Sequence, residues 1–166
     1  VALRKNGEVP ALALESMTRV MERRGPDAEG LWMSHDRKTG LGHRRLSSVD
    51  LCDAGAQPMA LPDGSAVVTF NGEIYNFAEL RRGLEAKGHV FRSGSDTEVL
   101  LHLYLDRGER MVEDLDGDFA FALHDARDGS IFLARDPAGV KPLCYAVTDD
   151  YFIFASDVRA ILASGL

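Results

Sequence analysis

The stretch GDFAFALHDARDGSIFLARD (117–136) decides what kind of fold this chain can adopt. Before Gly117 the apolar residues recur with a helical period, and after it the pattern becomes strand-like. FAFALHD (119–125) and SIFLARD (130–136) flank the turn-rich ARDG, so the two runs form a β-hairpin. LCYAVT (143–148) and YFIFAS (151–156) flank Asp149-Asp150 and form a second one. Antiparallel sheets of this kind need helices over one face or a second sheet against the other. The expectation is an α+β layered sandwich.

The helices that complete it lie mostly upstream. PALALESMTRVMERR (10–24) carries Leu12, Leu14, Met17, Val20 and Met21 at helical spacing, with Pro10 in its first turn and Gly25-Pro26 as a stop. A second helix runs over 77–87, capped by Asn76 with Glu79 in capping-box position and ended by Gly88. A third opens at Ser95-Asp96-Thr97-Glu98, another Ser-x-x-Glu box, and carries Val99, Leu100, Leu103 and Tyr104 toward Gly108. SDVRAILASG closes the chain as a helix capped by Ser156. There is no internal repeat and no interior linker, so residues 1–166 read as a single domain.

Composition excludes several function classes. Nineteen Lys and Arg against 26 Asp and Glu give a net charge of -7 without a basic stripe, which disfavours nucleic acid and anionic membranes as partners. No apolar run approaches the roughly 18 residues of a spanning helix, and VALRKNGEVPAL has no signal-peptide pattern, so a cytoplasmic location is expected. Cys52 and Cys144 stand far apart, and the five histidines show no metal-ligand spacing. Asp114, Asp116 and Asp118 imitate the start of a calcium loop, but Phe119 stands where that loop requires Gly and Asp125 where it requires Glu. No metal is expected.

The residues that carry chemistry lie in three segments. In VVTFNGEIYNF (67–77) an apolar strand runs into Asn71-Gly72-Glu73. A side-chain amide and a glycine N–H at the end of a rigid strand can hold a developing oxyanion. Taken alone, the tripeptide reads first as an Asn-Gly turn between strands. In LGHRRLSSVD (41–50) Arg45 is suited to gripping a carboxylate, or to a surface ion pair. In FRSGSDTEV (91–99) Asp96 falls in a first helical turn, where its negative charge is favoured and could accept from an ammonium. A cation, an anion and an oxyanion hole together suit an α-amino acid with a side-chain carbonyl.

RGPDAEG (24–30), GHRRLS (42–47), AGAQPM (54–59), FNGEIYN (70–76), SGSDTEV (93–99), GDFAFALHD (117–125), RDPAGVKPLCY (135–145) and FASDVRAIL (154–162) stand in one order over nearly the whole chain. In that wording and order they resemble the glutaminase domain of glutamine-hydrolysing asparagine synthetases. The resemblance implies a four-layer αββα sandwich of two antiparallel sheets, of the N-terminal-nucleophile hydrolase type. It implies that Arg45 binds the α-carboxylate of glutamine, Glu73 and Asp96 its α-ammonium, and that Asn71 and Gly72 form the oxyanion hole. Backbone groups around Leu46, Ser48 and Val49 would line the pocket. The sugar-phosphate and purine amidotransferases resemble one another in a Thr-Arg-Trp type motif where this chain has Arg-Arg-Leu-Ser.

The family's nucleophile is an N-terminal cysteine, and this chain begins VALRKNGEVP. The expectation is therefore a fragment that hydrolyses no glutamine until a Cys-Gly segment is restored, since neither Cys52 nor Cys144 has a free α-amine. Arg24 stands for a frequent His and Asp157 for a frequent Glu, both away from the pocket. The implied partners are glutamine and a C-terminal synthetase domain of the same chain; the sequence leaves the oligomeric state open, a homodimer among the options. No cofactor is expected in this domain; ATP and Mg belong to the synthetase domain. The competing reading is a non-catalytic module of the kind found in β-lactam synthetases and related cyclases, which resemble this family and lack the cysteine.

Overall fold

The computed structural model describes residues 7–46 and 55–166, with the backbone of Ala2 and Leu3. The chain divides into two compact units, residues 1–51 with 142–166, and residues 52–141. Both are mixtures of helix and antiparallel strand.

The first unit contains β1 (Ala2–Leu3), α1 (Ala11–Val20), β2 (Ala28–Met33), β3 (Gly40–Arg45), then β8 (Cys144–Val147), β9 (Tyr151–Ala155) and α4 (Val158–Ala163). Strands β1, β9 and β8 form one antiparallel sheet in that order, and β2 pairs with β3 in another. Helix α1 is shorter than its periodicity predicts. It begins after Pro10 and tightens at Glu22–Arg24 into a 3-10 turn, where the Gly25 N–H reaches both the Met21 and Glu22 carbonyls. Its buried face is Ala13, Leu14, Met17 and Thr18, whereas Leu12 is 68% exposed. A step of about 100° per residue puts positions 13, 14 and 17 on one side and position 12 beyond it. That face lies on β3, where a Cβ at Gly42 would meet Thr18 Oγ1 at 2.3 Å. Helix α4 is capped by Asp157, whose carboxylate accepts from the Arg159 N–H, and not by Ser156.

The second unit contains β4 (Met59–Ala60), β5 (Ala66–Ile74), α2 (Phe77–Ala86), α3 (Asp96–Arg107), β6 (Gly117–Asp125) and β7 (Ser130–Arg135). The four strands form one antiparallel sheet in the order β4-β5-β6-β7. The hairpin quoted from the sequence is its β6-β7 half, with Ala120 opposite Arg135 and Asp125 opposite Ser130. Period-2 alternation sends Val68, Phe70 and Ile74 of β5 and Phe119, Phe121 and Leu123 of β6 into one core. Leu84 of α2 and Val99, Leu100, Leu103 and Tyr104 of α3 complete it. Each fully buried side chain contributes roughly 1.5–3 kcal/mol.

Both capping boxes of this unit turn out differently from their sequence pattern. Asn76 makes no cap bond; its Nδ2 donates to the Asp114 carbonyl and its Oδ1 accepts from the Asp116 N–H, which ties the start of α2 to the approach to β6. Ser95 does cap α3, accepting from the Thr97 N–H at 3.2 Å. Glu98, however, does not reach back to Ser95. It is buried and accepts from the Arg92 N–H, the Ser93 N–H and the Ser93 hydroxyl, so it braces the preceding loop. No helix among the described residues is long and apolar enough to cross a membrane.

Candidate functional site

Asn71-Gly72-Glu73 is not a turn. The three residues continue β5, with Asn71 opposite Ala120, Gly72 opposite Phe119 and Glu73 opposite Asp118. What lets the strand continue is Gly72 itself: its φ is +151°, and a Cβ there would lie 2.1 Å from the Asp118 carbonyl oxygen. Gly117 makes the same close approach from the other strand, where a Cβ would lie 2.3 Å from the Glu73 carbonyl oxygen. The two backbones therefore touch where the motif falls.

The direction of the N–H groups follows from the ladder. Phe119 exchanges bonds with Asp136, its N–H donating to the Asp136 carboxylate at 3.2 Å and its carbonyl accepting from the Asp136 N–H at 2.8 Å. Phe119 thus faces away from β5, and its opposite number Gly72 must face away from β6. Phe70, Gly72 and Ile74 all point their N–H groups at the same open edge. Phe70 donates to Gln57 Oε1 at 2.6 Å, and Ile74 donates to Asp96 Oδ2 at 3.0 Å. The Gly72 N–H lies between these two satisfied donors, and among the described residues no side chain accepts from it.

Beside this donor is a concentration of negative charge. Glu73 and Asp118 face each other across the ladder, an unfavourable pairing for like charges. Asp118 accepts from the Tyr75 hydroxyl at 2.7 Å, which pushes the phenol up to about 12. Asp96 stands in the first turn of α3, and burial raises its carboxyl above the ordinary range; N–H donors at Ile74 and Thr97 oppose that rise and the Glu73 charge adds to it. An ammonium placed here would relieve both the repulsion and the desolvation.

Arg45 ends β3 in the first unit, and its carbonyl accepts from the Asp27 N–H at 3.0 Å. Gly25 supports this strand end, since a Cβ there would lie 2.4 Å from the Arg44 carbonyl carbon and 2.7 Å from the Arg45 nitrogen. Arg44 points to the opposite face, where its guanidinium is held by Glu29 at 2.8 Å and Glu22 at 3.6 Å. His43 shares the Arg45 face and is depressed to about 4 by burial and by the Arg45 charge, so it is neutral at pH 7. Leu46 is exposed, and Ser48, Val49 and Cys52 lie outside the described residues. Asn71, Gly72, Glu73 and Asp96 are thus brought together in the second unit, and Arg45 with Leu46 belongs to the first.

Cys144 is a strand residue whose Sγ donates to the Ala155 carbonyl at 3.1 Å, and burial pushes its thiol up. Such a thiol is a poor nucleophile. Two residues of this region escaped the sequence reading. Asp136 accepts from the Phe119, Val140 and Lys141 N–H groups, and those donors outweigh burial and lower its pKa. Gln57 bridges the Phe70 N–H and the Thr97 hydroxyl, and its signals were its place in AGAQPM and the proline that follows it.

Residues 2–166 match the family model described as a glutamine amidotransferase domain. The chain is 42% identical to asparagine synthetase [glutamine-hydrolyzing] 1 of Bacillus subtilis over 91% of its own length and 23% of that protein's. It is 43% identical to asparagine synthetase [glutamine-hydrolyzing] 3 of Arabidopsis thaliana over 94% of its length and 26% of that protein's. It therefore spans about a quarter of the length of the curated relatives it matches. Among solved structures, the glutamine phosphoribosylpyrophosphate amidotransferase of B. subtilis, complexed with ADP and GMP, superposes with a TM-score of 0.65 at 28% identity. That superposition covers 77% of this chain and 30% of the other.

Proposed function

We propose, from the premise that this chain belongs to the glutamine amidotransferase domain family, that it binds glutamine and releases the side-chain amide nitrogen as ammonia. The observation that carries this reading is the open edge of β5, where the Gly72 N–H sits between two donors already satisfied by Gln57 and Asp96. A thiolate attacking the glutamine side-chain carbonyl forms a C–S bond and moves the carbonyl electron pair onto oxygen. Gly72 N–H and the Asn71 amide nitrogen then donate to that oxyanion. Collapse of the intermediate expels ammonia, which takes up a proton as it leaves, and water cleaves the thioester to give glutamate. Glu73 and Asp96 are assigned the α-ammonium, and the family resemblance assigns Arg45 the α-carboxylate and Leu46, Ser48 and Val49 the pocket lining. Arg44 is unsuited to that role because Glu29 and Glu22 already hold it.

The nucleophile in this reading is the thiol of an N-terminal cysteine, with its own α-amine as base. Cys144 lacks both a free amine and an ionisable environment. For the whole protein, the naming of the relatives supports an asparagine synthetase. A further domain using ATP and Mg would join the ammonia to aspartate, in a cytoplasmic enzyme that forms homodimers.

The full-length protein carrying a terminal cysteine is the material for the test. It should release glutamate and ammonia from glutamine, and a glutamine-like electrophile should label the terminal thiol and abolish that release while free ammonia still supports amide synthesis. Arg45→Ala should raise KM with little change in kcat, because the α-carboxylate keeps its charge throughout. A protein that closes an amide within one substrate and ignores glutamine would defeat the reading.

A further inference from the structure

We propose that Gln57 is a positioning residue for the oxyanion-binding edge, holding β5 against the N-terminus of α3 so that the Gly72 N–H keeps its aim. This rests on the glutaminase reading above. Strand β4 pairs with β5 only at Met59 opposite Val68 and Ala60 opposite Val67. Extending that register backward would bring residue 57 opposite Phe70, but β4 begins only at Met59 and the backbone of Gln57 does not join the ladder. Phe70 would then present a half-buried N–H to an open edge, one residue before Asn71.

The side chain of Gln57 takes the place of the missing strand. Its Oε1 accepts from the Phe70 N–H at 2.6 Å, and because that partner is a donor the atom must be the oxygen of the amide. Its Nε2 then faces Thr97 Oγ1 at 3.4 Å, the weaker of the two contacts. Thr97 is 2% exposed and directly follows Asp96. One amide therefore joins the residue before the oxyanion donors to the residue after the ammonium-binding carboxylate. Asp96 closes the same edge from the other side through Ile74. Gly72 is left spanning two fixed points, a donor held in place rather than one free to bend toward water.

A side chain that merely stabilised the fold would alter the fraction folded and leave the chemistry of folded molecules alone. A positioning residue alters kcat more than KM, since oxyanion alignment matters when charge reaches the oxygen. The test uses Gln57→Leu, which removes both bonds, and Gln57→Glu, which keeps an oxygen for Phe70, in the full-length protein with its terminal cysteine. Kinetics on glutamine are read beside melting temperature and the amide exchange rates of Phe70, Gly72 and Phe121. Gln57→Leu should lower kcat about tenfold with KM nearly constant, and Gln57→Glu should recover most of it. Exchange at Phe70 should rise about tenfold in the leucine variant, with Phe121 and the already open Gly72 N–H unchanged. An unchanged kcat in Gln57→Leu, or a glutamate variant as poor as the leucine one, overturns the proposal. If the parent protein itself hydrolyses no glutamine, the glutaminase reading fails; the exchange rates then judge Gln57 alone, and Phe70 protection that does not depend on it overturns the clamp.

Discussion

The two halves of β5 share one ladder with β6 but close their outer edge by different means. From Ala66 to Phe70 the side chains are apolar or nearly so, and β4 supplies the neighbouring backbone at Val67 and Val68. Beyond β4, from the Phe70 N–H to Ile74, no strand among the described residues lies on that edge, and side chains from Gln57 and Asp96 take the bonds a strand would have made. The first half is built from repeating contacts, so many substitutions would trim it gradually. The second half depends on a few singular contacts, and one backbone donor is kept out of them.

The contrast predicts that substitutions in the two halves should fail in different assays. Phe121 lies opposite Phe70 and is 2% exposed. Phe121→Ala should destabilise the fold by about 3–5 kcal/mol, read by denaturant unfolding, with kcat per folded molecule nearly unchanged. Asn71→Ala should do the reverse, lowering kcat by roughly 10²–10³ with a small shift in melting temperature. Should Asn71→Ala alter only KM, the functional half of the comparison is broken.

A smaller effect concerns Asp96. Because its carboxyl is raised in the folded protein, the folded state binds a proton more readily than the unfolded one, and stability falls as pH rises through that interval. An arriving ammonium favours the ionised form, so KM for glutamine should rise as pH drops below the raised value, by up to about tenfold per unit. Asp96→Asn should flatten that dependence. Asp125 behaves oppositely: Arg127 holds it down to about 2, so its contribution is present above the ordinary carboxylate value and lost as pH falls from about 4 toward 2. The smallest effect expected is at Ser95. Ser95→Ala should cost about 1 kcal/mol through the lost cap on α3. If it also moved KM strongly, the cap would be shown to position Asp96.

The features legible in the sequence were those whose cause is local. Both hairpins, the extent of α2 and the start of α3 follow from periodicity and turn residues within a dozen positions. The amidotransferase relationship was legible too, since eight motifs stand in one order; the wording of Arg-Arg-Leu-Ser pointed to the branch in which the 42% identical relative lies. What was hidden depended on partners that no helix, strand or turn pattern names. Asn76 and Glu98 satisfy the wording of a capping box, yet stronger acceptors and donors 38 and 6 residues away claim them. Leu12 satisfied a helical period but lay off the face that β3 selects. Asn71-Gly72 reads as a turn until Gly117 and Phe119 are brought alongside it.

Gly72 and Gly117 also limit how this protein can vary. A Cβ at Gly72 would strike the Asp118 carbonyl oxygen, and one at Gly117 would strike the Glu73 carbonyl oxygen, so in each case the obstacle is main chain. When a mutation clashes with a side chain, a second mutation elsewhere can shorten that side chain and restore function. Every residue type carries the same carbonyl, so no such suppressor exists for either glycine. In a paired-mutation survey these two positions should stand out as sites that lose activity in every background, with no substitution on the facing strand to rescue them.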